Sequence, residues 1–418
     1  RCSLPAGTST SPKVIAYTAW PSGVDPVMVV ATLLCFTVLV LRVTRVLGSD
    51  GTVGPNRVCS ADGACDAPAT VAARPDDGGQ ELFEWIRSHG GFVNPGLRVG
   101  PVDPDDASSP FGVFTKVSLR AGEVLVRVPW QLILQPEVED RNLDERFCST
   151  VEVVEREESL GNASKFAPYM KYLTAHNPVL EVPSMWSHMG KTLLHMVIGS
   201  GTRATGVGSF NSPLQRILAY CGFFSRQTQA TALRVFTRHT RELMVPLMDM
   251  LNHGSGDKHN SYLLLRPGSD FGAMALRGIK AGDEICDSYT HCSECADRST
   301  WFGTSELFFE YGFIESMPQV WHLLWDLHFS LKPNGSNKSE IRASWLEEVP
   351  SRDENLAWTQ LEVDRLNQVG GMLQKHHGSV PQHEWSAILQ YHSALSLALS
   401  KTVEALTEIT TQLEERET

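Results

Sequence analysis

The sequence has no basic excess, no second long apolar run and no paired metal-ligand motif, and each absence removes a class of function. With 36 Lys+Arg against 48 Asp+Glu, the 418-residue chain carries a formal charge of −12. A protein that grips a phosphate backbone presents a basic face, so direct nucleic-acid binding is not expected. A multi-pass membrane protein needs several apolar runs of about 20 residues, and only one stretch approaches that length. The nine cysteines are odd in number and scattered from Cys2 to Cys295, unlike the disulfide framework of a small secreted domain and in keeping with a reducing compartment. Cys292-Ser-Glu-Cys295 has metal-ligand spacing, but a structural zinc site takes four ligands and no second pair stands nearby, so no metal is expected. The 10 Trp, 17 Phe and 8 Tyr exclude a disordered acidic chain.

The apolar stretch runs from Val27 to Leu41 without a charge, followed by Arg42, Arg45 and Val46-Leu47. It reaches spanning length only if the arginines snorkel at its end. Three readings stand: a single membrane anchor over Val27–Leu47, the apolar region of a cleaved signal, or part of an organelle (plastid) transit sequence. The anchor is the expectation, and Arg42, Arg45 and Arg57 behind it favour a cytosol-facing remainder.

From Gly48 to Gly79 the chain is rich in Gly, Pro, Asp and Ala and reads as a linker. A short amphipathic helix over Glu81–His89 opens the folded part, stopped by Gly90-Gly91. Runs typical of strands follow at Gly112–Val117 and Glu123–Val128, and again at Ser261–Leu265, Phe271–Leu276 and Glu284–Tyr289. Between them lies a helical insertion of about a hundred residues. After Tyr311-Gly312-Phe313 the pattern turns helical. Ile388, Leu395, Leu399, Val403, Leu406, Ile409 and Leu413 make one long stripe, and Trp358, Leu361, Leu366, Val369 and Leu373 a shorter one. The expected fold is α+β, with short strands split by helices and an α-helical C-terminal domain. The expected division is 1–80 for targeting or anchoring plus linker, 81–316 for the split domain with its insertion near 140–244, and 317–418 for the helical domain.

Two nucleotide-binding motifs fail on spacing. Gly190-Lys191-Thr192 has Met185 where a phosphate-binding loop needs its first glycine, and Gly199-Ser-Gly201 lacks a strand-turn-helix context. Gly254-Ser255-Gly256 likewise lacks the spacing of a nucleophile elbow. An ordered set of segments is more informative: Ser109-Pro-Phe-Gly-Val-Phe-Thr-Lys116, Met244-Val-Pro-Leu-Met-Asp-Met-Leu-Asn-His253, Gly282-Asp-Glu-Ile-Cys-Asp-Ser-Tyr289 and Glu306-Leu-Phe-Phe-Glu-Tyr-Gly-Phe-Ile314.

This set resembles the SET-domain methyltransferases, and within them the branch with a split SET domain and helical C-terminal domain typified by the Rubisco large-subunit lysine methyltransferase. The resemblance runs from about Leu82 to Phe313. It implies transfer of methyl groups from S-adenosyl-L-methionine to a lysine, or a histidine, of a protein substrate by a monomeric enzyme. It implies that Ser109, Pro110, Phe111 and Gly112 form the cofactor turn, that Asn252 and His253 meet the cofactor's amino-acid end and adenine, and that Arg238 contacts cofactor and substrate. Asp249 orients the same site, Tyr289 is the catalytic tyrosine, and Tyr262 and Tyr311 line the substrate channel with it. Three departures stand out: Pro110 replaces the first glycine of the turn, Gly254 follows Asn-His where serine is usual, and the linker Thr290–Ser305 is long and cysteine-bearing. Pro110 and the altered linker leave open a second reading, an inactive SET-like scaffold that holds a protein partner.

Overall fold

The computed structural model describes residues 79–417 apart from 107–108, 139–140, 177–181, 200–212, 291–301, 324–326, 336 and 347–351. Helix α1 (Gly79–Ser88) buries Leu82, Phe83, Trp85 and Ile86 on one face, as the spacing of those residues requires. Gly90, at φ +84°, turns the chain out of it into β1 (Phe92–Val93). Strands β2 (Leu97–Pro101), β3 (Phe111–Thr115) and β4 (Val124–Pro129) follow. The insertion supplies α2 (Leu143–Leu160), α3 (Ala167–His176), α4 (His188–Ile198), α5 (Pro213–Cys221) and α6 (Arg226–Phe236). The chain then returns as β5 (Asn252–His253), β6 (Ser261–Arg266), β7 (Asp270–Ala275) and β8 (Glu284–Asp287).

Two four-stranded sheets result, ordered β1-β4-β7-β6 and β2-β3-β8-β5, each joining strands from before and after the insertion. The first is antiparallel throughout, with Val126 opposite Ala273 and Val128 opposite Phe271. In the second, β5 lies parallel to β8, setting Asn252 beside Cys286 and His253 beside Asp287. These sheets, α1, α2, α3 and α6 close over one apolar core that includes Leu125, Val126, Phe147, Tyr169, Met244 and Ile285.

Helix α7 (Thr304–Tyr311) leads to a three-stranded antiparallel sheet, β9 (Gln319–His322), β10 (His328–Asn334) and β11 (Asn337–Trp345), in the order β11-β10-β9. The stretch after Phe313, read from sequence as turning helical at once, thus forms strands first. Trp321, Phe329 and Leu331 are buried against helices that arrive only later in the chain. Those helices are α8 (Arg352–Leu373) and α9 (Gln382–Glu417), carrying the two apolar stripes. Leu366, Val369, Leu373, Ile388, Leu395 and Leu399 are buried in a second core. This core also takes Leu193, Leu194, Val197 and Ile198 of α4 and Phe308 and Phe309 of α7.

Two expectations are corrected. The cysteines are not all free: Cys148 on α2 and Cys221 on α5 form a disulfide across 73 residues, because the packing of the two helices brings their Cα atoms to 5.5 Å. The single-pass anchor with a cytosol-facing remainder is overturned, since among the described residues no helix is long and apolar enough to cross a membrane. The long helix α9 is interrupted by Glu384, Lys401, Glu404 and Glu408, each costly in hydrocarbon. The stretch Val27–Leu47 and the Cys292/Cys295 pair lie outside the described residues.

Candidate active site

The second sheet builds the site. Gly112 on β3 is buried, and a Cβ there would stand 2.3 Å from Glu284 Oε1 and 2.9 Å from Asn252 Nδ2. Only glycine allows β3 to lie this close to those two side chains. Beside it, Asn252 Nδ2 donates to Phe111 O (3.1 Å) and to Glu284 Oε1 (2.7 Å). Both amide hydrogens are thus engaged and Oδ1 is left to accept. Burial raises the Glu284 carboxyl above its ordinary range, partly offset by the Asn252 bond. Ser109 is buried and its hydroxyl accepts from Asp103 N (2.7 Å), fastening the loop ahead of β3, while Pro110 is exposed at its edge.

The parallel pairing of β5 with β8 carries Tyr289 to His253. Tyr289 N donates to His253 Nδ1 (3.0 Å), and the Tyr289 hydroxyl donates to Leu251 O (2.9 Å). The Tyr289 ring lies 5.4 Å from the His253 ring and 4.9 Å from that of Tyr311. Phe313 adds a further face, 5.9 Å from His253 and 6.3 Å from Tyr311. Burial, then Tyr311, pushes the Tyr289 phenol far above its ordinary value, so it remains a neutral donor.

A second polar group sits on the insertion side. The Asp249 side chain is fully buried, accepts from the Tyr169 hydroxyl at Oδ2 (2.9 Å) and lies 3.7 Å from Arg238 Nη1, which also donates to Asp249 O (3.0 Å). Its Oδ1 is buried without a hydrogen-bond partner among the described residues. Burial raises the Asp249 carboxyl to about 6, outweighing the pull of Arg238.

Of the residues singled out in the sequence, Phe111, Gly112, Asn252, His253, Tyr289 and Tyr311 come together. Arg238 and Asp249 form a neighbouring pair whose charges reach Tyr289. Tyr262 stands on β6 in the other sheet, where its hydroxyl donates to Met274 Sδ (3.3 Å) across the strand pair. Two site residues escape the sequence reading. Glu284 was legible only as part of Gly282-Asp-Glu-Ile, and its contact with Asn252 needs β8 to pair. Glu315 follows Tyr311-Gly-Phe-Ile and its carboxylate is almost sealed against His253 (Nε2 to Oε2 2.8 Å). Its one signal is a lone acid beside an aromatic segment. Gly254, where serine is usual, has a reason as well: a Cβ would fall 2.6 Å from Cys286 Cβ and 2.9 Å from the Lys258 carbonyl group.

Residues 110–290 match the family model of the SET domain. Among solved structures, the chain is similar to the SET domain of LSMT bound to lysine and AdoHcy, at 12% identity and a TM-score of 0.49 over 82% of this chain and 93% of that one. It is similar to Rubisco LSMT bound to AdoMet at 12% identity and a TM-score of 0.48, over 81% and 93% of the two chains. No curated protein matches the sequence.

Proposed function

We propose that this chain, SET-like over residues 110–290, is an S-adenosyl-L-methionine-dependent methyltransferase acting on a lysine side chain of a protein substrate. The observation that carries the reading is the junction of β5 and β8, which sets Asn252, His253 and the Tyr289 phenol in one wall beside Gly112. The donor set suits the cofactor. Asn252 Oδ1 and the Glu284 carboxylate offer acceptors to an ammonium group, and the bare Gly112 backbone permits close approach. Phe111, Gly112, Asn252 and His253 would hold the cofactor, which would supply an electrophilic methyl group.

The protein's own residues prepare the acceptor. A lysine amine carries its proton up to a pKa near 10.4, and only the neutral form is a nucleophile. Tyr289, Tyr311 and Phe313 make an aromatic wall that disfavours the charged form and lowers that pKa. The Tyr289 oxygen, held by Leu251 O, presents a fixed polar atom to orient the amine. Asp249, whose Oδ1 has no hydrogen-bond partner among the described residues, and Arg238 act on Tyr289 through their charges. Such a site accelerates mainly by orientation and desolvation.

Incubating the purified protein with methyl-labelled cofactor and a lysate tests the reading. Labelled protein bands are expected, lost in Tyr289→Phe while that variant still binds cofactor and melts cooperatively, and mass spectrometry of the labelled residue separates lysine from histidine. Cofactor binding without labelling of any protein sinks the enzymatic reading. That result favours the second one, a groove that holds a partner, which Pro110 in the cofactor turn motivates.

A further inference from the structure

We propose that Glu315 is a positioning residue for Tyr289, acting through His253; the proposal rests on the methyltransferase reading for its kinetic part. Tyr289 N donates to His253 Nδ1. A ring nitrogen that accepts a hydrogen bond carries no proton itself, so the neutral imidazole keeps its proton on Nε2. That nitrogen faces both Glu315 Oε2 and Ser255 Oγ at 2.8 Å; the Ser255 hydroxyl turns its own proton to Oε2, so both oxygens present lone pairs to the Nε2 proton. The opposite tautomer would set N–H against N–H at Tyr289 and a lone pair against the carboxylate, two repulsive contacts at once. With the two side chains only 3% and 2% exposed, water cannot relieve either.

Glu315 is itself held on every side, which makes it an anchor rather than a passive acceptor. The Ser255 hydroxyl donates to Oε2, the Thr304 hydroxyl to Oε1 (2.7 Å) and Val320 N to Oε1 (3.4 Å). Gln319 Nε2 fixes its main-chain oxygen (2.9 Å). Thr304 opens α7 and Val320 lies in β9. The carboxylate therefore ties the start of the C-terminal region to the ring that receives the Tyr289 backbone. The same short segment, Tyr311 to Glu315, supplies two rings of the aromatic wall and the anchor that orients the third.

The test uses the full chain labelled with 15N at histidine, as wild type, Glu315→Gln and Glu315→Ala, with the His253 signals assigned by their loss in His253→Gln. Ring-nitrogen shifts read the tautomer, and kcat and the cofactor Kd are measured on the same proteins. The wild type is expected to show Nε2–H. Glu315→Gln keeps it, because the amide oxygen still accepts, and retains kcat. Glu315→Ala leaves the tautomer to the Tyr289 N–H and Ser255 Oγ alone, so Nε2–H remains the major form with a measurable Nδ1–H fraction, and kcat falls about tenfold while the cofactor Kd stays within about threefold. An Nδ1–H ring in the wild type overturns the proposal, as does Glu315→Ala with the wild-type tautomer and kcat. Equal loss of activity in both variants with the tautomer kept marks a merely structural role and overturns it too. The wild-type tautomer decides the question if Glu315→Ala does not fold. It is read without cofactor, so failure of the methyltransferase reading, seen as no cofactor binding by the wild type, is distinguishable from failure of this one.

Discussion

Gly112 has the least room to change of any residue in the site. In Gly112→Ala the new methyl meets Glu284 and Asn252 inside van der Waals distance, and the pair must separate or β3 must shift. Cofactor affinity is expected to fall by more than about tenfold, one lost charge-assisted hydrogen bond being worth that much, and calorimetry reads it. Asp249 makes a pH-dependent prediction. Its folded value of about 6 lies above the ordinary 3.8, so between the two the folded protein binds more protons than the unfolded chain. Its contribution is therefore fully present below the ordinary value and lost as pH rises through about 6. Asp249→Asn, which carries no charge to bury, should gain stability over the wild type as pH rises from 4 to 7, on the order of 3 kcal/mol at the upper end. Denaturant melts of both proteins across that range check it, and a difference that does not change with pH contradicts it.

Helix α4 is clamped at both ends by elements far along the chain. Ser187 caps it, accepting from Gly190 N (3.0 Å), and in turn donates its hydroxyl (2.6 Å) and main-chain N–H (2.7 Å) to the buried Glu384 of α9. At the other end, Arg365 of α8 donates to Met196 O (2.7 Å) and Val197 O (2.8 Å), with Glu362 beside it. An acid at the N-terminus and a base at the C-terminus each match the helix dipole. Glu384→Ala removes the acceptor of two donors in a sealed spot and should cost about 2–3 kcal/mol, read as a lower melting temperature. Gly190→Ala should fail for a related reason, since its Cβ would meet Glu384 Oε2. The disulfide between α2 and α5 closes a long loop, and its reduction should lower stability by about 2–4 kcal/mol, measured by melting with and without reductant.

All described residues lie in one unit, Val71–Thr418, holding two apolar cores. Because α4 and α7 pack into the second core, a chain ending at residue 350 leaves Leu193, Leu194, Phe308 and Trp321 uncovered. Each such side chain forfeits about 1.5–3 kcal/mol of burial. Residues 79–350 are therefore expected to aggregate where 79–418 melts cooperatively, as light scattering and calorimetry would show. A stripe of leucines reveals that a helix face is buried, but not which distant segment covers it.

What the sequence determined by itself is what local chemistry controls. The strands around Val113, Val126 and Ala273 follow from β-branched and apolar runs, α1 from its period, and the Asn252-His253 and Tyr289 segments from motifs whose order needs no folding to be seen. The tertiary structure alone decided the partnerships. The parallel pairing of β5 with β8, the acid under Gly112, the Glu315 anchor behind His253 and the Cys148–Cys221 bond all join residues separated by tens of positions. Contacts of that kind depend on which surfaces exclude water together, a property of the packed chain that no local pattern encodes.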